Sequence, residues 1–268
     1  MSDQPQPTLS PRLSLALEAA LEAGRHTLRY FRQTELAVER KDDASPVTIA
    51  DREAELLLRE RIAAAFPDDA ILGEEFPERL GTSGYRWILD PIDGTKSFIH
   101  GVPLYGTMVA VEHGGRSILG VVYVPAMDEC AYAETGHGAW HQLGLEPVRP
   151  ARVSRVATLG ESLFVTSDVP NFRKHDRMDA YLRMDEACRL SRTWGDCFGY
   201  LLVATGRAEV MIDPVMKVWD AAALQPILEE AGGTFTNWQG ERTIYDGEGI
   251  GTNGLLLEEV LAMTRKRA

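Results

Sequence analysis

The sequence predicts an α/β fold with an α+β first half, on three observations. Apolar stretches of strand length follow one another from Trp87 to Ala133, joined by short turns, as in an antiparallel sheet. Beyond about residue 150, short strands alternate with helical stretches, the rhythm of an α/β layer. Ahead of both, two amphipathic helices between Pro11 and Phe66 offer apolar stripes that can cover a sheet. From Leu145 to Arg152 the composition shifts to Pro and Arg without periodicity, which places a boundary between a 1–150 half and a 151–268 half.

Ser10-Pro11 reads as an N-cap followed by proline at the first helical position. Leu13, Leu17, Leu21, Leu28 and Phe31 then form a helical stripe, with Ala16, Ala20 and Gly24 as small fillers. Lys41 to Pro46 reads as a loop, and a second helix begins near Thr48 or Asp51 and runs to Phe66, buried through Leu57, Leu58 and Ile62. Ala70 to Gly73 is a short strand that ends in Glu74-Glu75. A second strand, Trp87 to Leu89, should stop at Pro91, which cannot donate to a ladder. Thr95 is placed to cap the helix that follows.

Strands are expected at 104–111, 118–124 and 129–133, with a turn at His113-Gly114-Gly115. In the second half the expectation is a strand at 163–165, a helix at 173–188, a strand at 189–193, a helix at 196–205 and a strand at 208–212. A helix at 219–231, a strand at 233–237 and a last helix from an Asn253 cap to Lys266 complete the chain.

The 268-residue chain carries a net charge of −12, which argues against nucleic acid or an anionic membrane as the main partner. Its three cysteines, Cys130, Cys188 and Cys197, fit neither a disulfide framework nor a zinc spacing, so a reducing cytoplasm is expected. Met1 to Thr8 is polar and Pro-rich rather than a signal peptide, and no segment approaches the roughly 20 apolar residues of a membrane span.

The chemistry lies in the acids. Glu74, Asp90, Asp93 and Asp220 each follow a strand or open a helix, and such positions converge on one edge of a layered α/β fold. Four carboxylates without basic neighbours need cations to stay ionised together. Oxygen-only ligands suit Mg²⁺, which shares its shell with substrate phosphate. Gly94 lets the backbone approach a ligand closely. Bland readings stand beside these: an acidic turn for Asp90 to Thr95, and a dipole-stabilised helix start for Asp220.

Three stretches resemble the inositol monophosphatase superfamily of Mg²⁺-dependent phosphatases. They are Gly73-Glu74-Glu75, the run from Trp87-Ile88-Leu89-Asp90-Pro91-Ile92-Asp93-Gly94-Thr95 to Phe98, and Trp219-Asp220-Ala221-Ala222 followed by Glu230-Ala231-Gly232-Gly233. The resemblance implies a layered α-β-α-β-α sandwich and two or three Mg²⁺ ions. It implies that Glu74, Asp90 and the Ile92 carbonyl hold one ion, that Asp90, Asp93 and Asp220 hold a second, and that a weaker third lies near Glu74. Thr95 and Asp51 match the pair that orients the nucleophilic water, Gly94 and Thr95 present N–H groups to phosphate, and a homodimer is implied. Attack is then in-line by metal-activated water without a phosphoenzyme, and the metals reconcile an acidic protein with an anionic substrate.

Arg192-Thr193-Trp194-Gly195-Asp196-Cys197 looks like the histidinol-phosphatase branch of that superfamily, whose substrate carries an ammonium and an imidazole besides its phosphate. Asp196 and Asp213 can pair with those cations and Trp194 can cover the ring; alternatively, Asp196 caps its helix and Trp194 is core. Arg192 either reaches substrate or pairs with Asp213 or a neighbouring subunit. The other readings are an inositol-1-phosphate or broad sugar-phosphate phosphatase, and an inactive relative that binds metal or a phosphometabolite. Gly249 to Gly254 matches a dinucleotide fingerprint but is read as a turn into the last helix, because too little chain follows it. His137 and His141 are read as an exposed hairpin tip, and the Arg265 to Arg267 run as a favourable helix end.

Overall fold

The computed structural model describes residues 9–33, 37–40 and 46–265. The Met1–Thr8 segment, most of the Lys41–Pro46 loop and the basic end beyond Arg265 lie outside the described residues.

Helix α1 (Pro11–Thr27) starts as expected, with the Ser10 hydroxyl accepting the Leu13 N–H at 3.2 Å. Strands β1 (Val38–Arg40) and β2 (Pro46–Thr48) pair antiparallel and lead into α2 (Ile49–Ala65). A capping box opens α2: Thr48 accepts from the first turn, and the Asp51 carboxylate accepts the Thr48 N–H at 2.8 Å.

A seven-stranded sheet follows in chain order: β3 (Ala70–Gly73), β4 (Tyr85–Asp93), β5 (Gly106–His113), β6 (Arg116–Val124), β7 (Glu129–Glu134), β8 (Ala139–Leu143) and β9 (Arg149–Pro150). All its neighbours are antiparallel except β3 and β4. Helix α3 (Thr95–Ile99) lies between β4 and β5.

The remaining elements are β10 (Leu163–Val165), α4 (Val169–Lys174), α5 (Met178–Ala187), β11 (Leu190–Arg192), α6 (Cys197–Ala204), β12 (Val210–Asp213), α7 (Val218–Ala222), α8 (Leu224–Glu230), β13 (Thr234–Thr236), β14 (Gly249–Thr252) and α9 (Leu257–Thr264). Their five strands are ordered β11-β10-β12-β14-β13, with β10 parallel to both neighbours and the β12-β14 and β14-β13 pairs antiparallel.

The layers follow from the period-two alternation of the strands. On β5 and β6, Val109, Val111, Leu119 and Val121 face α1 and α2, while Met108, Ala110 and Val122 face inward. On the second sheet, Val165, Met211 and Phe235 face the same interior, which α6, α7 and α8 fill. Phe164, Val210, Ile212 and Ile250 face outward onto Met184 of α5 and Val260 of α9. The result is the expected α-β-α-β-α sandwich, whose largest core draws on both sheets.

Several local expectations are corrected. Strand β4 does not stop at Pro91: it runs to Asp93, and its register with β5 shifts between Asp90 and Asp93. The missing proline N–H falls in that bulge, and the Pro91 carbonyl accepts the Thr107 hydroxyl at 2.8 Å. Gly249 to Thr252 is no turn but β14, held between β12 and β13. The last helix begins later than Asn253, whose side-chain oxygen caps a preceding turn through the Leu255 and Leu256 N–H groups.

The helix expected at 173–188 is two helices, because Asp176 is left-handed at φ +55°. The helix at 219–231 is also two: Pro226 has no N–H for the Ala222 carbonyl, which takes the Ser117 hydroxyl at 2.6 Å instead. Gly120 of β6 lets this break come close, since a Cβ there would lie 2.1 Å from the Ala223 oxygen. His141 is not exposed: it is 3 % accessible on β8 and bonds Glu129 of β7 at 2.7 Å. Among the described residues no helix is long and apolar enough to cross a membrane.

Candidate active site

The β4 bulge turns Asp90 and Asp93 toward the first turn of α7, where Asp220 stands. Carboxylate oxygens of these three residues lie within 4.8 Å of one another. Asp220 also caps the helix start, its carboxylate accepting the Lys217 N–H at 2.7 Å, so the capping and clustering readings both hold. Glu74 follows β3, the parallel neighbour of β4, and its charge acts on Asp51, Asp90 and Asp220.

Thr95 does not cap α3. The N-cap is Gly94 at φ +87°, a left-handed turn natural to glycine. The Thr95 hydroxyl instead lies between the Ile92 carbonyl (3.1 Å) and the Asp51 carboxylate (3.4 Å). The other Asp51 oxygen is taken up by the Thr48 N–H and hydroxyl.

Burial and mutual repulsion dominate the electrostatics of this cluster. Burial, reinforced by Glu74, Asp93 and Asp220, pushes Asp90 well above the ordinary carboxylate range. Burial and the Asp196 and Asp220 charges do the same to Asp93. Burial lifts Asp220 to about 7 and Asp51 to about 6. The Asp90 Oδ1 atom is buried without a hydrogen-bond partner, a costly state for a carboxylate oxygen. A converging, oxygen-only donor set with one orphaned oxygen fits a hard divalent cation.

A cavity of about 670 Å³ opens over this cluster and extends toward the second sheet. Glu74, Asp93, Gly94, Thr95 and Asp220 line its near side, and Asp196, Asp213 and Ser167 its far side. Asp90 and Ile92 are buried beneath it. Asp196 precedes α6 but caps nothing with its side chain. Its carboxylate is raised to about 6 by burial, against the pull of Lys96. Asp213 is 5 % accessible and raised to about 7 by burial, while the Ser167 N–H and hydroxyl bond its two oxygens at 3.1 and 3.0 Å.

The rest of the expected substrate stretch points elsewhere. Trp194 is 40 % exposed and Arg192 stacks near it, with the guanidinium 5.9 Å from the ring centre and a bond to the Ser191 carbonyl. Neither lines the cavity, Trp194 is not core, and Arg192 does not pair with Asp213. Gly195 is buried against Ser167.

Three contributors escaped the sequence reading. Glu55 of α2 is fully buried and cradles the Glu74 turn, accepting the Glu75 N–H at 2.7 Å, the Phe76 N–H at 3.3 Å and Arg59 Nε at 2.7 Å. Its signal was its place four residues after Asp51 on the face of Leu58 and Ile62. Ser167 and the Cys197 N–H, which donates to Asp93, carry no local signal, because their partners lie in distant segments.

Known proteins resemble this chain along most of its length. The family model described as the inositol monophosphatase family matches residues 8–268. A histidinol-phosphatase of Chlorobaculum parvum is 48 % identical over 248 residues, covering 90 % of this chain and 92 % of that protein. A histidinol-phosphatase of Streptomyces coelicolor is 35 % identical, covering 96 % and 97 %. The crystal structure of the extragenic suppressor protein suhB from Bartonella henselae superposes with a TM-score of 0.88 at 28 % identity, covering 97 % of this chain and all of that one. With the family match running nearly end to end and relatives this similar over most of their length, the chain belongs to the inositol monophosphatase family.

Proposed function

We propose that this phosphatase converts L-histidinol phosphate and water to L-histidinol and phosphate, with Mg²⁺ as its metal. The observation that carries the substrate reading is the half-buried Asp196 carboxylate beside the Gly94 turn. Its Oδ2 lies 2.9 Å from where a Cβ on Gly94 would sit. Gly94 and Thr95 offer N–H groups to a phosphate, so an anion seat and a carboxylate adjoin in one cavity. A substrate with phosphate at one end and a cationic group at the other satisfies both. A ring of neutral hydroxyls, as in inositol phosphate, gains little from Asp196. The names of the two relatives above support the same reading.

Glu74, Asp90 and the Ile92 carbonyl would hold one ion, Asp90, Asp93 and Asp220 a second, with a third held more weakly near Glu74. Bound there, Mg²⁺ supplies Lewis-acid polarisation of the phosphoryl group and lowers the pKa of water. The Thr95 hydroxyl, held between Asp51 and the Ile92 carbonyl, orients the attacking water for in-line displacement. No side chain forms a covalent phosphoenzyme. We further place the protein in the cytoplasm as a homodimer serving histidine synthesis. The 1–150 half carries most metal ligands, and the 151–268 half carries Asp220 and the specificity residues.

The test is Mg²⁺-dependent phosphate release from L-histidinol phosphate and myo-inositol-1-phosphate, side by side. A strong preference for the first is expected. Equal or reversed preference would refute the substrate reading, and no hydrolysis of either ester would indicate an inactive metal-binding relative.

A further inference from the structure

The turn that presents Asp196 is held in a conformation its own residue type does not favour. Asp196 has φ +52° and ψ −153°, a region that essentially only glycine occupies. An unrestrained aspartate there relaxes to negative φ and swings its carboxylate away from Gly94. Something must therefore over-determine the turn. The Asp196 N–H donates to Ser167 Oγ at 2.8 Å. Gly195 lies flat on the Ser167 backbone, where a Cβ would come within 2.0 Å of the Ser167 Cα. On the other side, the Cys197 N–H donates to Asp93.

Ser167 is itself fixed. Its N–H and hydroxyl donate to the two oxygens of Asp213, at 3.1 and 3.0 Å, leaving its lone pair for the Asp196 N–H. Thr166 adds a further bond to Asp213 at 3.4 Å. Both Asp213 oxygens thus accept from the protein.

The geometry points to Ser167 as a positioning residue for substrate discrimination. It transmits the fixed place of Asp213 to Asp196 and keeps the Asp196 carboxylate beside the phosphate seat. This rests on the proposed role of Asp196 toward the substrate's cationic group.

The experiment measures kcat/KM for L-histidinol phosphate and for uncharged-tail glycerol-2-phosphate in the wild type and in the Ser167→Ala, Ser167→Thr, Asp196→Asn and Ser167→Ala/Asp196→Asn variants. The readout is the ratio of the two values, which cancels the fraction of folded enzyme. A merely structural role lowers both values together and leaves the ratio unmoved. We expect Asp196→Asn and Ser167→Ala each to lower the ratio by about tenfold or more, as befits one misplaced charge-assisted contact. Ser167→Thr, which keeps the hydroxyl, should restore most of it, and the double variant should fall no further than the worse single one. If Asp196→Asn lowers the ratio but Ser167→Ala leaves it at the wild-type value, the positioning role is refuted and the substrate reading survives. If Asp196→Asn itself leaves the ratio unmoved, the proposed recognition by Asp196 fails, and the inference with it.

Discussion

Gly73→Ala is a small change with a large expected cost. Gly73 ends β3 one residue before Glu74, and a Cβ there would lie 2.1 Å from Glu55 Oε1 and 2.7 Å from Oε2. Glu55 cannot swing aside freely. It is fully buried, paired with Arg59 at 2.7 Å, and accepts the Glu75 and Phe76 N–H groups. Overpacking a tight site costs about 1–3 kcal/mol, and separating a buried ion pair about 3–5 kcal/mol. The two overlap, because relieving the clash is what breaks the pair. The expected loss is therefore about 3–5 kcal/mol, or a fall in melting temperature of about 6–20 °C for a chain of this size. Urea unfolding measures it, with Gly160→Ala as the control, since nothing lies within 4 Å of a Cβ at Gly160. The control should stay within about 0.5 kcal/mol of wild type. A Gly73→Ala loss that small would refute the view that Glu55 is locked beneath the Glu74 turn.

Three further outcomes are expected. Glu74→Gln and Asp93→Asn should each lower phosphatase turnover by orders of magnitude while circular dichroism stays that of the wild type; near-normal turnover in either would remove it from the metal set. Mg²⁺ at about a hundredfold excess over its dissociation constant should add about 2.7 kcal/mol of stability. Asp90→Asn should abolish most of that gain yet be at least as stable without metal, because it removes one of several crowded like charges; an unaltered Mg²⁺ response would show that Asp90 holds no ion. Asp69 provides the pH test. Burial would raise its pKa, but bonds from Arg12, Ser83 and Trp87 hold it below the ordinary value. A depressed folded pKa contributes stability that is present above the unfolded value of about 3.9 and is lost as pH falls through the folded one. The stability gap between wild type and Asp69→Asn, measured by urea unfolding, should be constant from pH 7 to 5 and shrink below about pH 4; a gap that widens on acidification would contradict the assignment.

The sequence by itself determined the kind and order of most elements, because these rest on local causes. The Ser10 cap, the Thr48–Asp51 box and the alternating strands of the first sheet are readable from neighbouring residues. The gathering of Asp90, Asp93 and Asp220 is likewise legible from their places after a strand or at a helix start. The tertiary structure decided what depends on partners far along the chain. A four-residue stretch such as Gly249 to Thr252 becomes an interior strand only because β12 and β13 flank it. His141 is buried because Glu129 meets it from β7, and Trp194 stays outside although its neighbour Asp196 enters the cavity. The placing of Glu55 under Glu74 and of Ser167 under Asp196 has the same origin. A polar side chain enters the interior only where hydrogen-bonding partners await it, and those partners are supplied by the packing of distant segments rather than by the residues beside it.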